Sequence, residues 1–122
     1  MGTYYANEHL PGQPFTVYER DGTTVAQLLA EGWTASVEVI REGSPEKLVA
    51  TQSTNLVLTN TAPNLTRSQW SASTLALIVT DMAAISETVV VYMEHPVITL
   101  AGAREGVLSA SPVRHVFKAV PT

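Results

Sequence analysis

The chain has 122 residues, of which 45% are hydrophobic and only 15% charged, with no cysteine and a formal net charge of -4. That length supports one domain with its own core, and the missing cysteines exclude disulfides, thiolate chemistry and cysteine-type zinc sites. Seven basic residues scattered along an acidic chain leave no footprint for a phosphate backbone, so nucleic acid is not an expected partner.

With so few charges, the surface must be finished by Thr, Ser, Asn and Gln, which suits broad, permanent contacts. Residues 1–14 (MGTYYANEHLPGQP) hold Gly2, Pro11, Gly12 and Pro14 among Tyr4, Tyr5 and His9, a composition that reads as an arm. They show neither a basic n-region nor an apolar h-region, so no secretory signal is expected. No run approaches the roughly 18 apolar residues of a membrane helix, so synthesis in the cytosol without a membrane partner is expected.

Phe15 to Glu19 (FTVYE) reads as a first strand, ended by the Asp21-Gly22 turn. Thr23 to Ala30 is either extended or helical; one helical turn around Ala26 to Glu31, stopped by a left-handed Gly32, is the better match. From Trp33 to Arg41, Trp33, Ala35, Val37 and Val39 alternate with Thr34, Ser36 and Glu38, the period of a half-buried strand. The loop Glu42 to Glu46 leads to a strand at Lys47 to Thr51. Asn55 to Thr59 follows with Leu56 and Leu58 inward, and Thr61 to Gln69 reads as a polar connection.

Residues 70–85 (WSASTLALIVTDMAAI) are either one helix or a strand and a turn. The β-branched Thr74, Ile78, Val79 and Thr80 favour a strand from Thr74 to Val79, with Thr80-Asp81 capping a single turn. In Thr88 to His95 (TVVVYMEH), Val89, Val91 and Met93 point one way and Val90 and Tyr92 the other. Both faces are apolar, as in a central strand. Pro96 removes a ladder donor and should close it, with Val97 to Leu100 as a separate strand. The Gly102 to Gly106 hairpin leads to Val107 to Ala110, Ser111-Pro112 bends the chain, and Val113 to Val120 is a last strand or an outgoing arm. Eight or nine short strands spaced by turns make an antiparallel sandwich or barrel.

Chemistry is sparse. His9, His95 and His115 lack any spacing that would set two imidazoles on one metal. Glu94 and His95 are neighbours on a strand and face opposite ways. Asp21 and Asp81 fall in turn or cap contexts, and no nucleophile elbow is present, so a catalytic triad is not expected. Acids such as Glu42 and Glu46 read as solvated charge, and the 102–106 loop lacks the Lys and Ser or Thr of a phosphate loop. Asn64-Leu65-Thr66 matches a glycosylation sequon by coincidence. Trp33 belongs in the core by register, whereas Trp70, among polar residues, is the candidate surface aromatic. No catalytic residue, cofactor or metal ligand set results, and no enzyme is expected.

The arms carry more. Tyr4, Tyr5, His9 and Phe15 at one end, and Arg114, Val116, Phe117 and Lys118 at the other, combine aromatics and cations of the kind interface cores favour. They are the candidate subunit contacts, with strand pairing inside the chain's own sheet as the alternative.

With these elements in place the chain resembles the immunoglobulin-like N-terminal domains of bacteriophage tail and baseplate proteins of the baseplate upper protein type. The stretches are PGQPFTVYERDGTTV, LLAEGWTASVEVIR, LALIVTDMAAISETVVVYMEH and REGVLSASPVRHV, the last resembling that family's closing Ser-Pro strand, here Gly106 to Arg114. VYMEHPVITL departs from the pattern, where a polar hairpin containing Gly would be expected.

The resemblance implies an all-β, immunoglobulin-like antiparallel β-sandwich of seven to nine short strands with one or two short helical turns. It would comprise an N-terminal arm (1–14), the sandwich (15–112) and a C-terminal strand or arm (113–122). It further implies a non-enzymatic virion structural protein, a small tail or baseplate component whose partners are other virion proteins and copies of itself, in a homo-oligomer or a larger assembly. A capsid decoration protein would ask the same of the sequence. A carbohydrate-binding module for a host surface would need Trp70 on an exposed concave face. An enzyme would need His95 or His115 within hydrogen-bond reach of a carboxylate inside a pocket.

Overall fold

The computed structural model describes residues 3–5, 12–99 and 111–119. Among these residues, eight strands form two sheets with one helix beside them. β1 (Thr3–Tyr5), β3 (Thr34–Arg41), β4 (Lys47–Gln52), β7 (Val89–Thr99) and β8 (Val113–Lys118) make a five-stranded sheet in the order β1-β8-β7-β3-β4. β2 (Gln13–Phe15), β5 (Leu56–Leu58) and β6 (Leu65–Arg67) make a small sheet in the order β2-β6-β5. All neighbours are antiparallel except β1, which runs parallel to β8. This is the all-β, sandwich-like fold that the strand count implied.

The core lies between the sheets, where alternation turns one side of every long strand inward: Val37 and Val39 from β3, Ala50 from β4, Val90 and Tyr92 from β7, and Phe117 from β8. Phe15, Val17, Leu28, Leu65 and Trp33 close it from the other side. Between β2 and β3 the chain is irregular, and one buried side chain organises it. Asn64 accepts the Val17 N–H at 2.7 Å and donates to the carbonyls of Val17 (2.9 Å) and Ala26 (2.7 Å), satisfying backbone groups that no ladder reaches. The sequon asparagine is thus fully committed inside the fold. The expected helical turn follows, with the Glu31 N–H on the Gln27 carbonyl at 3.1 Å and Gly32 at φ +74° ending it.

Four sequence expectations are corrected. The strand placed at Thr74–Val79 is part of a 14-residue helix, α1 (Ala72–Ile85). Ser71, in extended conformation, caps it by accepting the Thr74 N–H at 3.1 Å, and Ser86 ends it in the left-handed region. Thr74, Ile78, Asp81 and Met82 share the buried face at helical spacing, so the β-branched residues are held by packing against their preference.

Next, Pro96 does not close its strand. β7 runs through it, opposite Val37 of β3, while β8 ends at Val113 opposite Glu94. Past that point β7 has a described strand partner on one side only, so one row of donors is not needed. Third, the connection at 61–69 contains β6, paired with both β2 and β5. Finally, the first strand lies at Gln13–Phe15, earlier than Phe15–Glu19, with only a Tyr18–Val25 bridge beyond it. Gly12 sits where a Cβ would come within 3.0 Å of the Arg67 carbonyl oxygen, so glycine permits the chain's entry beside β6. The 102–106 hairpin and the strand at 107–110 lie outside the described residues.

Candidate subunit interface

Two polar clusters lie inside the fold. In one, Arg67 of β6 meets Glu94 of β7 with two contacts, Nε to Oε2 and Nη2 to Oε1 at 3.0 Å. The His115 Nε2 lies 2.9 Å from the same Oε1 and donates to the carboxylate. The guanidinium stacks 3.8 Å from the centre of the Trp70 ring, which meets His115 edge-on at 5.9 Å. A histidine therefore does reach a carboxylate. Exposure decides its meaning: Arg67, Glu94 and His115 are 1%, 0% and 3% exposed, and the cluster ties the two sheets together inside the fold.

The second cluster joins helix to sheet. Asp81 of α1 accepts from Arg41 at 2.8 Å, Lys47 at 3.2 Å and the Tyr92 hydroxyl at 2.8 Å. Burial pushes its carboxyl up, but the Tyr92 hydrogen bond, Lys47 and Arg41 outweigh that and hold it below the ordinary carboxylate value. Burial, then the Asp81 bond and charge, push the Tyr92 phenol up. Asp81 is thus no helix cap. Asp21 is the turn residue expected: hydrogen bonds from the Thr24 hydroxyl and the Thr24 and Thr23 amides lower it to about 2.

A cleft of about 350 Å³ opens between the end of α1 and the end of β8, lined by Val79, Met82, Ala83, Thr88 and Ala119. Glu87 is its one titratable residue among those described, so it offers no acid-base pair. Among the described residues no three His, Asp or Glu side chains converge as a cation site, and no helix is long and apolar enough to cross a membrane.

The sequence-derived contact residues divide sharply. Phe15 (4% exposed) and Phe117 (0%) are core and cannot meet a partner. Trp70 is 3% exposed, because the Arg67 cation and His115 enclose it, so the surface aromatic is withdrawn and with it the sugar platform built on that ring. His9 lies outside the described residues. The backbone of Tyr4 and Tyr5 pairs beside Phe117 and Lys118, putting this part of the N-terminal arm on the sheet edge. β8 lies between β1 and β7, so residues 113–118 are a sheet strand rather than an arm.

Arg114, Val116 and Lys118 alternate with the core residues His115 and Phe117 and therefore share the outer face of β8. Registry extends that face across the sheet. Arg114 opposes Met93, Met93 opposes Ile40, and Ile40 opposes Leu48, while Val116 opposes Val91. Ile40, Val91, Met93, Val97 and Val116 are each partly exposed and belong to neither the core nor its packed fringe. The sequence reading missed Ile40, Val91, Met93 and Val97 as surface, although its signal was present in the doubly apolar alternation of TVVVYM. β7 is the central strand expected, lying between β8 and β3, and among the described residues only one of its two faces is covered.

A second apolar surface lies on α1. Its outward residues include Ala72, Ala76, Leu77, Val79, Ala83 and Ala84, Leu77 being 48% and Val79 38% exposed, and Asp81, its one charged residue, points inward. Ser73 and Thr80 are the polar residues of that outward side, which carries no charge.

The sequence matches no protein-family model, no curated protein and no solved structure.

Proposed function

We infer that the chain is a non-enzymatic structural component of a bacteriophage virion, a small tail or baseplate protein that assembles through contacts between subunits. The observation that carries the assembly part is on the outer face of β3, β7 and β8, where Ile40, Val91, Met93, Val97 and Val116 form an apolar strip without a described cover, bordered by Glu38, His95, Arg114 and Lys118. Sheets of a chain that acts alone alternate apolar in and polar out. The charge-free face of α1 supports the same reading, because a subunit inside a repeating structure needs more than one contact surface. The phage context rests on the sequence resemblance. Within it, a capsid decoration protein remains the neighbouring reading, since it would use the same surfaces.

The test is the composition of purified bacteriophage particles. Mass spectrometry should find the chain in fixed stoichiometry with the major structural proteins, and gold-labelled antibody should mark the tail. Labelling of the head would favour the decoration reading. Absence from particles isolated from cells that express the chain would reject both.

A further inference from the structure

Resting on that reading, we propose that the outer face of the five-stranded sheet pairs with the same face of a second copy, related by a two-fold axis along the strands. The argument is the distribution of charge. Registry maps the face into three bands across the strand direction. Glu38 and Glu42 lie on the β3 side; Ile40, Met93, Val91 and Val116 form the apolar centre, with His95 of β7 on the same face opposite Glu38; Arg114 and Lys118 lie on β8. A two-fold axis parallel to the strands exchanges the two sides. It lays the acidic band of each copy over the basic band of the other, with apolar residues meeting between. A partner with one uniform charge would match one band and oppose the other. The α1 face, with no charge at all, gives no such pattern.

Reach and size are consistent. Arg114 Nε already meets Glu42 Oε2 at 3.3 Å within the chain, across the width of β7, and both residues are close to half exposed. The same side chains therefore have the length to exchange partners across an interface. Four strands about 4.8 Å apart and a run from Val97 to Val89 at about 3.4 Å per residue give a face of roughly 500 Å². Two such faces bury about 1,000 Å², the lower limit for a specific contact, so the pair is weak alone and firm only when repeated.

Sedimentation equilibrium of the purified chain, taken to millimolar concentration, tests this. The wild type should form dimers, and Met93→Glu should abolish them. Arg114→Glu and Glu42→Arg should each raise the dimer dissociation constant about tenfold, because like charges then face each other twice per interface. An equimolar mixture of those two variants should restore wild-type association. In the mixed dimer Glu meets Arg at both positions, and a bridge acting only within a chain cannot be repaired by another chain. Each variant's thermal transition reports its fold, and the mixing experiment decides the matter even if Met93→Glu unfolds. A wild type that stays monomeric, dimers that survive Met93→Glu, a mixture without recovery, or binding only to other virion proteins would each overturn the proposal. Presence in particles without self-association would sink this inference alone. Self-association of a chain absent from particles would sink the virion reading alone.

Discussion

Arg67 Nη2 lies 3.0 Å from Glu94 Oε1, and this ion pair links β6 of the small sheet to β7 of the large one in the middle of the core. Both side chains are sealed from water, so each depends on the other for its solvation. Removing one strands the other: Glu94→Ala should destabilise the chain by about 3–5 kcal/mol, measured by urea unfolding. Replacing Arg67, Glu94 and His115 together by Met, Leu and Leu should cost clearly less than that single change, because no charge of the cluster is then left without a partner. Equal or greater loss in the triple variant would mean that the cluster contributes beyond its mutual compensation.

The Asp81 cluster makes stability depend on pH in a definite direction. Its carboxyl is held below the ordinary value in the folded chain, against about 3.9 when unfolded. Its contribution is therefore complete above about pH 4 and is lost as pH falls through the folded value. Asp81→Asn should lower stability by about 2 kcal/mol at pH 7, and the gap to wild type should narrow in acid. Tyr92→Phe should move the Asp81 titration, followed by NMR of the carboxyl carbon, back upward.

Asn64 donates to the Val17 and Ala26 carbonyls and accepts from the Val17 amide, so neither polarity can be dropped. Asn64→Asp retains the acceptor but turns a charge toward two carbonyls. It should destabilise more than Asn64→Ala, itself expected to cost about 2–3 kcal/mol by calorimetry. Hydrogen exchange of the Val17 amide should rise in both variants.

At the start of α1, Ser71→Ala removes the acceptor for the Thr74 amide and should cost about 1 kcal/mol. Ser71→Asp keeps an acceptor and adds negative charge at the helix N-terminus, so it should hold or raise the melting temperature.

Much of the strand pattern was legible because alternation is written in neighbouring residues. Val37 and Val39 face the core and Glu38 does not, as their period demanded, and Trp33 is buried as its register required. The helix was not legible, because its outward face is as apolar as its inward one. Leu77, Val79 and Ala83 mask the period that Thr74, Ile78 and Met82 follow, and the inward Asp81 runs against it. Trp70 was misread for a related reason. Its sequence neighbours are polar, but the groups that enclose it, Arg67 and His115, come from two other strands and are joined through Glu94 on a third.

Local order along the chain determined that this protein is built of short strands, which residues alternate, and where turns such as Asp21-Gly22 fall, since these depend on side chains a few positions apart. Tertiary structure alone decided which apolar face has a cover. Val90 and Val91 are equally apolar in sequence, yet Val90 meets the core while Val91 lies on the partly exposed outer face, because a second sheet lies over one side of β7. Coverage depends on elements far apart in the chain, and it is this difference that moves the candidate contact surface from the arms to the sheet.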